Sequence, residues 1–115
     1  MKTRRGDVVL VLFPNSDLRT AKRRPALVLQ RNNLGSGLEQ TIVAMISSNL
    51  ARRSHPSRIF VAATSPEGRV AGIRLDSVVM TDNLATVLES EIDSQLGRLA
   101  DITAVDAALK HTLGL

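Results

Sequence analysis

Hydrophobic and polar positions divide the chain into short apolar runs separated by polar turns, with one helical pattern at the end. Val8-Val9-Leu10-Val11-Leu12-Phe13 is rich in β-branched residues and bounded by Gly6-Asp7 and Pro14-Asn15, which predicts a strand. It lacks apolar–polar alternation, so both of its faces need cover. A C-terminal helix or a second subunit would supply it. Pro14 to Arg24 reads as a polar loop, and Pro25 to Gln30 as a second strand opened by its proline. Asn32-Asn33-Leu34-Gly35-Ser36-Gly37 is turn chemistry, because Asn and Gly tolerate positive φ.

Thr41 to Ile46 predicts a third strand, ending in the hydroxyl pair Ser47-Ser48, and Arg58 to Ala62 a fourth. Ser65-Pro66-Glu67-Gly68 predicts a turn, with two further short strands at Ser77–Met80 and Leu84–Leu88. In the tail, Ile102, Val105, Leu109 and Leu113 recur at helical spacing, with Asp101 as the cap and Gly114 as the stop. Five or six short strands closed by one helix predict a mainly β fold, a small curled antiparallel sheet over residues 1–115 as one domain.

Composition narrows the function. The chain has 43% hydrophobic and 23% charged residues, ordinary values for a globular protein. No apolar run approaches a membrane span of about 18 residues, so no membrane partner is expected. Met1-Lys2-Thr3-Arg4-Arg5 is basic, but Asp7 follows and no small-residue cleavage site closes the apolar run, which argues against a signal peptide. The absence of cysteine excludes disulfides and thiolate chemistry and fits a reducing, cytoplasmic setting. Residues 1–60 hold eleven Lys/Arg against three acids, whereas residues 61–115 hold four against eight. A basic half points to a polyanionic partner. With no Trp or Tyr, and only Phe13 and Phe60, base stacking has few platforms. Charge and hydrogen bonds are then expected to dominate.

The densest charge is Lys22-Arg23-Arg24, directly before Pro25. Arginine stays protonated, and its planar donor fork suits phosphate oxygens. At a fixed strand entrance, Arg24 could stabilise a pentacoordinate phosphorane. The competing explanation is a strand-edge arginine that discourages sheet pairing. Ser47 and Ser48 offer hydroxyls to a ribose 2′-OH or a phosphate, or else simply close a turn. His55 lies in a basic loop and titrates near neutrality, but a two-histidine site would also need His111, late in the tail helix. Asp76 and Asp82 are two isolated carboxylates, with Arg74 the expected partner of Asp76. No metal or cofactor motif appears.

Arg5-Gly6-Asp7-Val8-Val9, Lys22-Arg23-Arg24-Pro25-Ala26-Leu27-Val28-Leu29 and Ile42-Val43-Ala44-Met45-Ile46-Ser47-Ser48-Asn49 are followed by Leu75-Asp76-Ser77-Val78-Val79-Met80-Thr81-Asp82 and Leu96-Gly97-Arg98-Leu99. In this order, over essentially the whole chain, they resemble the MazF/PemK family of toxin endoribonucleases from type II toxin–antitoxin systems. The resemblance implies a small SH3-like β-barrel with a C-terminal helix, a homodimer, and metal-independent cleavage of single-stranded RNA. It also implies a cognate antitoxin whose extended acidic segment fills the RNA groove. It makes Arg24 catalytic and places Ser47 where the family has threonine. Gly6, Asp7 and the first loop, with Asn15, would line the groove. Lys22 and Arg23 would steer the RNA backbone, with Ser48, Asp82 and Asn83 as further contacts. Asp82-Asn83-Leu84-Ala85 lacks the arginine of the family's acidic-Gln-x-Arg stretch, and the first loop lacks the histidine of some relatives. Two alternatives stand beside this expectation. One is a non-catalytic module binding RNA or an acidic protein; the other is a gyrase-poisoning toxin, which would need an aromatic C-terminus where this chain has Leu113-Gly114-Leu115.

Overall fold

The computed structural model describes residues 1–115. Six strands and two helices follow in order: β1 (Asp7–Pro14), β2 (Ala21–Val28), β3 (Gln40–Ser47), β4 (Arg58–Val61), α1 (Pro66–Val70), β5 (Ser77–Leu88), β6 (Ile92–Arg98) and α2 (Thr103–Leu113). All pairings are antiparallel, in the spatial order β4-β5-β3-β2-β1-β6. The sheet is strongly curled yet open, because its edges β4 and β6 do not pair. The expected barrel is therefore a barrel in curvature and not in closure.

Strand β1 explains the curl. Val8 packs with Leu27, Ala44, Ile46, Val79 and the helix residue Val105 on one face. Val9, Val11 and Phe13 pack on the other face against Ala26, Val28, Val43, Val87 and Ile92. The helix covers the first face as expected. The second is covered within the same chain, by the ends of β5 and β6 folding back over β1 to β3. Helix α2 is tied down at both ends: Arg5 bonds Asp106 and the Leu29 carbonyl, and Thr81 Oγ1 shares a 2.8 Å hydrogen bond with Thr112.

Four local expectations change. Strand β2 begins at Ala21, so the cation run lies inside a strand and the loop shrinks to Asn15–Thr20. Pro25 pairs with Leu10 of β1 but stands before β2 meets β3 at Ala26, where a missing N–H is tolerated. The two short strands predicted around Thr81-Asp82-Asn83 are one strand, β5. A bulge there lets Ala44 oppose Leu84 while Met45 opposes Met80, which accommodates the polar residues, Thr81 buried and Asp82 exposed, without ending the pairing. Ser65-Pro66-Glu67-Gly68 starts the short helix α1, capped by Ser65, and not a simple turn. Strand β6 is an addition. It reads Ile92-Asp93-Ser94-Gln95-Leu96-Gly97-Arg98 and buries only Ile92, since an edge strand needs little apolar sequence.

At the tail, Asp101 sits one residue outside the flanking position held by Ile102. Its carboxylate still accepts the Thr103 N–H at 3.0 Å. Gly114 takes φ +71 and closes the helix as expected.

Edge strand β6 is held against α1 by backbone contact. A Cβ at Gly97 would stand 2.3 Å from the Val70 carbonyl oxygen and 2.4 Å from the Ala71 carbonyl carbon. Gly97→Ala is therefore expected to lower the unfolding free energy by about 3 kcal/mol, measured by urea denaturation.

Candidate active site

Alternation along β2 sorts the cation run. Register pairs Lys22 with Phe13 and Arg24 with Val11, so both share the sheet face of Ala26 and Val28. Arg23 falls on the opposite face, where it forms an ion pair with Asp93 of β6. The three cations thus do not act as one cluster. Lys22 and Arg24 remain together, with Lys22 exposed and Arg24 half-buried.

Arg24 is fixed from one side only. Its Nη2 donates to Asn15 Oδ1 at 3.1 Å, while its Nε is buried with no hydrogen-bond partner. The orientation of Asn15 follows from the loop. Thr20 Oγ1 donates to Asp17 Oδ2 at 2.8 Å, so it accepts from Asn15 Nδ2 at 2.9 Å, leaving Asn15 Oδ1 for Arg24. Asp17 organises this turn by also accepting the N–H groups of Arg19 and Thr20. Those backbone donors, with the Thr20 hydroxyl, hold its carboxyl below the usual range. Nothing in the sequence singles Asp17 out, because it looks like any loop acid.

Ser47 ends β3 on the same face. The β2–β3 ladder ends where Ala26 pairs with Met45, and Arg24 and Ser47 each lie two residues beyond that pair on the same face. The Ser47 hydroxyl accepts the Asn49 N–H at 3.1 Å, and its hydrogen stays available to a ligand. Ser48 is exposed beside it. Two rows of side chains now cross the sheet. One runs Ser47, Val78, Phe60, with Arg24 beyond the end of the β2–β3 ladder on the same face, and the other Ala26, Met45, Met80, Arg58. The part of this face under Val87 and Ile92 is sealed; in these rows Ala26 and Val78 are buried as well, Ser47, Met45, Met80 and Arg58 are half-buried, and Phe60 is exposed.

The bulge of β5 borders the rows. Asn83 Nδ2 reaches the Met45 sulfur at 3.2 Å. Asp82 is clamped by Arg58, which donates from Nε at 2.9 Å and from Nη2 at 3.0 Å. Partial burial pushes the Asp82 carboxyl up, but hydrogen bonds and charge from Arg58 outweigh this and leave it below its ordinary value. Arg58 is not among the residues that the sequence marks for the site, although it follows the basic loop.

Gly6 and Asp7 sit elsewhere in the design. Asp7 is 5% exposed and accepts from Arg98 Nη1 at 2.8 Å, Gln95 Nε2 at 3.2 Å and the Arg4 N–H at 2.8 Å. Gly6 adopts φ +95, a conformation that favours glycine, and bonds Val28 and Leu99 through its backbone. Both residues join the start of β1 to β2 and to the end of β6. Asp76 bonds the Ala63 N–H at 2.8 Å and not Arg74. The fold does bring His55 and His111 together, with ring centroids 6.2 Å apart. They stand beside α2, with His55 Nδ1 on Ser57 at 2.7 Å, and not with Arg24. No group of three or more His, Cys, Asp or Glu side chains is placed to hold a metal ion, and no helix is long and apolar enough to cross a membrane.

Residues 4–113 match the family described as PemK-like, MazF-like toxin of type II toxin–antitoxin system. The chain belongs to this family. Among relatives of known function, it is 32% identical over 107 residues to Endoribonuclease MazF6 of Mycobacterium tuberculosis, and equally to Endoribonuclease MazF2 of Mycobacterium bovis, covering 90% of either chain. Among solved structures it resembles the Mycobacterium tuberculosis toxin MazF-mt6, with a TM-score of 0.74 and 25% identity, covering 95% of this chain and 97% of the other. MazF from Deinococcus radiodurans shares the fold, with a TM-score of 0.73 and 22% identity, covering 100% of this chain and 99% of the other.

In this PemK/MazF-family chain the Arg58–Asp82 clamp supplies a pH test. The folded carboxyl is the stronger acid, so its contribution to stability is complete above the ordinary value of 3.8 and lost as pH falls through the lower folded value. Wild type is expected to exceed Asp82→Asn in thermal stability at neutral pH. That advantage should shrink only below about pH 4, as followed by circular dichroism melts.

Proposed function

We propose that this toxin-family protein is an endoribonuclease that cuts single-stranded RNA by attack of a ribose 2′-OH on the adjacent phosphate. The observation that carries the proposal is the buried, unpartnered Nε of Arg24, with Nη2 already held by Asn15. A buried donor without an acceptor costs about 1–3 kcal/mol, so such a group in a native site asks for an acceptor. A phosphate oxygen supplies one, and the fixed guanidinium then faces the charge that develops as phosphorus becomes five-coordinate.

In the reaction, the 2′-oxygen bonds to phosphorus and the bond from phosphorus to the 5′-oxygen breaks. The 2′-OH loses its proton and the 5′-oxygen leaves protonated, giving a 2′,3′-cyclic phosphate and a 5′-OH. Arg24 stabilises the phosphorane, and Ser47, one strand away, orients the 2′-OH or a phosphate oxygen. Lys22 extends positive charge along the same face, while Ser48 and Asn83 border it. Arg23 lies on the opposite face with Asp93, so its contribution is to the long-range field. This chemistry is carried by a fixed cation and a hydroxyl, without a metal.

The partners belong to the same proposal. One mycobacterial endoribonuclease of this fold was solved in complex with its cognate antitoxin. By that likeness we assign this chain a cognate antitoxin. From the family resemblance we further propose that an acidic, extended antitoxin segment competes with RNA and that the protein is a cytoplasmic homodimer. The uneven charge, with the basic excess confined to residues 1–60, suits both the RNA and an acidic segment.

Arg24→Ala is expected to reduce cleavage of a long single-stranded RNA by about a hundred- to a thousandfold, while the melting curve stays that of a folded protein. Ser47→Thr should retain activity and Ser47→Ala should lose most of it. Cleavage should persist in EDTA and fail on an oligonucleotide whose 2′-OH groups are all methylated. Full activity of Arg24→Ala would refute the catalytic assignment, and binding without fragments would leave a non-catalytic module.

A further inference from the structure

The row that begins at Ser47 ends at an aromatic ring. Of the two phenylalanines, Phe13 is sealed in the core while Phe60 keeps 40% of its surface exposed. Phe60 pairs with Val78, and Val78 with Ser47, so its ring stands on the face that carries Arg24. The strands that carry Arg24 and Phe60 are three strand spacings apart, about 14 Å.

Arg53 lies over this ring, its guanidinium carbon 5.4 Å from the centroid. Arg53 takes part in none of the four ion pairs of the chain. A single exposed apolar side chain needs no explanation. A ring and a guanidinium layered together on the face that also carries Arg24 form the combination that holds unpaired bases, since each offers a flat face to a nucleobase.

We propose that Phe60 and Arg53 form a base-stacking subsite for single-stranded RNA, set within a few nucleotides of the scissile phosphate. It takes a nucleobase, with a purine favoured because its two-ring face overlaps the pair more fully. The proposal rests on the RNA-cleaving assignment and adds to it a determinant of sequence choice. It adds one stacking contact to an interface expected to be dominated by charge and hydrogen bonds. The fold converts the one phenylalanine left outside the core into a platform.

The test maps the 5′ ends of fragments cut from a long RNA by wild type, Phe60→Ala and Phe60→Leu. Wild type should show a purine preference at one position near the cut, and both variants should flatten it while still cutting. A fully 2′-O-methylated oligonucleotide carrying the preferred sequence should bind Phe60→Ala about tenfold more weakly by fluorescence anisotropy. The fluorescent purine analogue 2-aminopurine at that position should be quenched on binding wild type and much less on binding Phe60→Leu, which keeps the apolar bulk but not the π-face. An unchanged cleavage profile together with unchanged affinity in both variants would overturn the subsite. Arg24→Ala at full activity would instead overturn the catalytic assignment, and the anisotropy and quenching measurements would still decide whether Phe60 holds a base.

Discussion

Burial of β1 on both faces is the constraint on which the rest of the molecule depends. Its alternate residues divide between two cores, Val8 toward α2 and Val9, Val11 and Phe13 toward the returning ends of β5 and β6. In a chain of 115 residues, one helix cannot cover both sides of a six-stranded sheet. The sheet must curl and use its own strands as the second layer. That curl seals one part of the inner face and leaves the part lined by Arg24, Ser47 and Phe60 partly exposed.

Positive charge on this face is held by structure at each end. Asn15 fixes Arg24, and its own orientation is set by Thr20 and Asp17. Arg58 is locked on Asp82, and Arg53 rests on Phe60. Ion pairs at the surface add little to stability, but here they remove rotamer freedom from long side chains facing the proposed RNA path. Preorganisation of this kind lets a fixed cation act on developing charge without reorganising when the reaction occurs. Lys22 is exposed and outside the ion pairs, suited to attracting RNA rather than orienting it.

Several features are legible in the chain itself. The apolar runs locate β1, β3 and β4, and the helical spacing of Ile102, Val105 and Leu109 locates α2. Arg24 and Ser47 emerge from charge and strand ends together with family resemblance. Sequence and fold part ways where local chemistry and pairing disagree. Thr81-Asp82-Asn83 looks like a break because the sequence does not show that Thr81 bonds the Ser57 carbonyl and Thr112, which lets β5 continue through a bulge. Strand β6 is invisible because an edge strand paired only to β1 shows no apolar alternation. Asp7 has the look of a groove residue, yet it is enclosed by Arg98, Gln95 and the Arg4 backbone.

The class of chemistry is already written in the amino acids. They supply a permanently charged arginine near hydroxyls, no thiol, a basic first half, and a β-rich pattern with one terminal helix. These are properties of residue types and local spacing, which need no partner to be read. Which cations share a face is decided in three dimensions, because strand alternation sends Arg23 to the opposite side while Arg24, Ser47 and Phe60 fall on one face. Register is a long-range property, set by how distant apolar faces bury one another. For that reason the candidate groups can be named from the chain, but the face they share cannot.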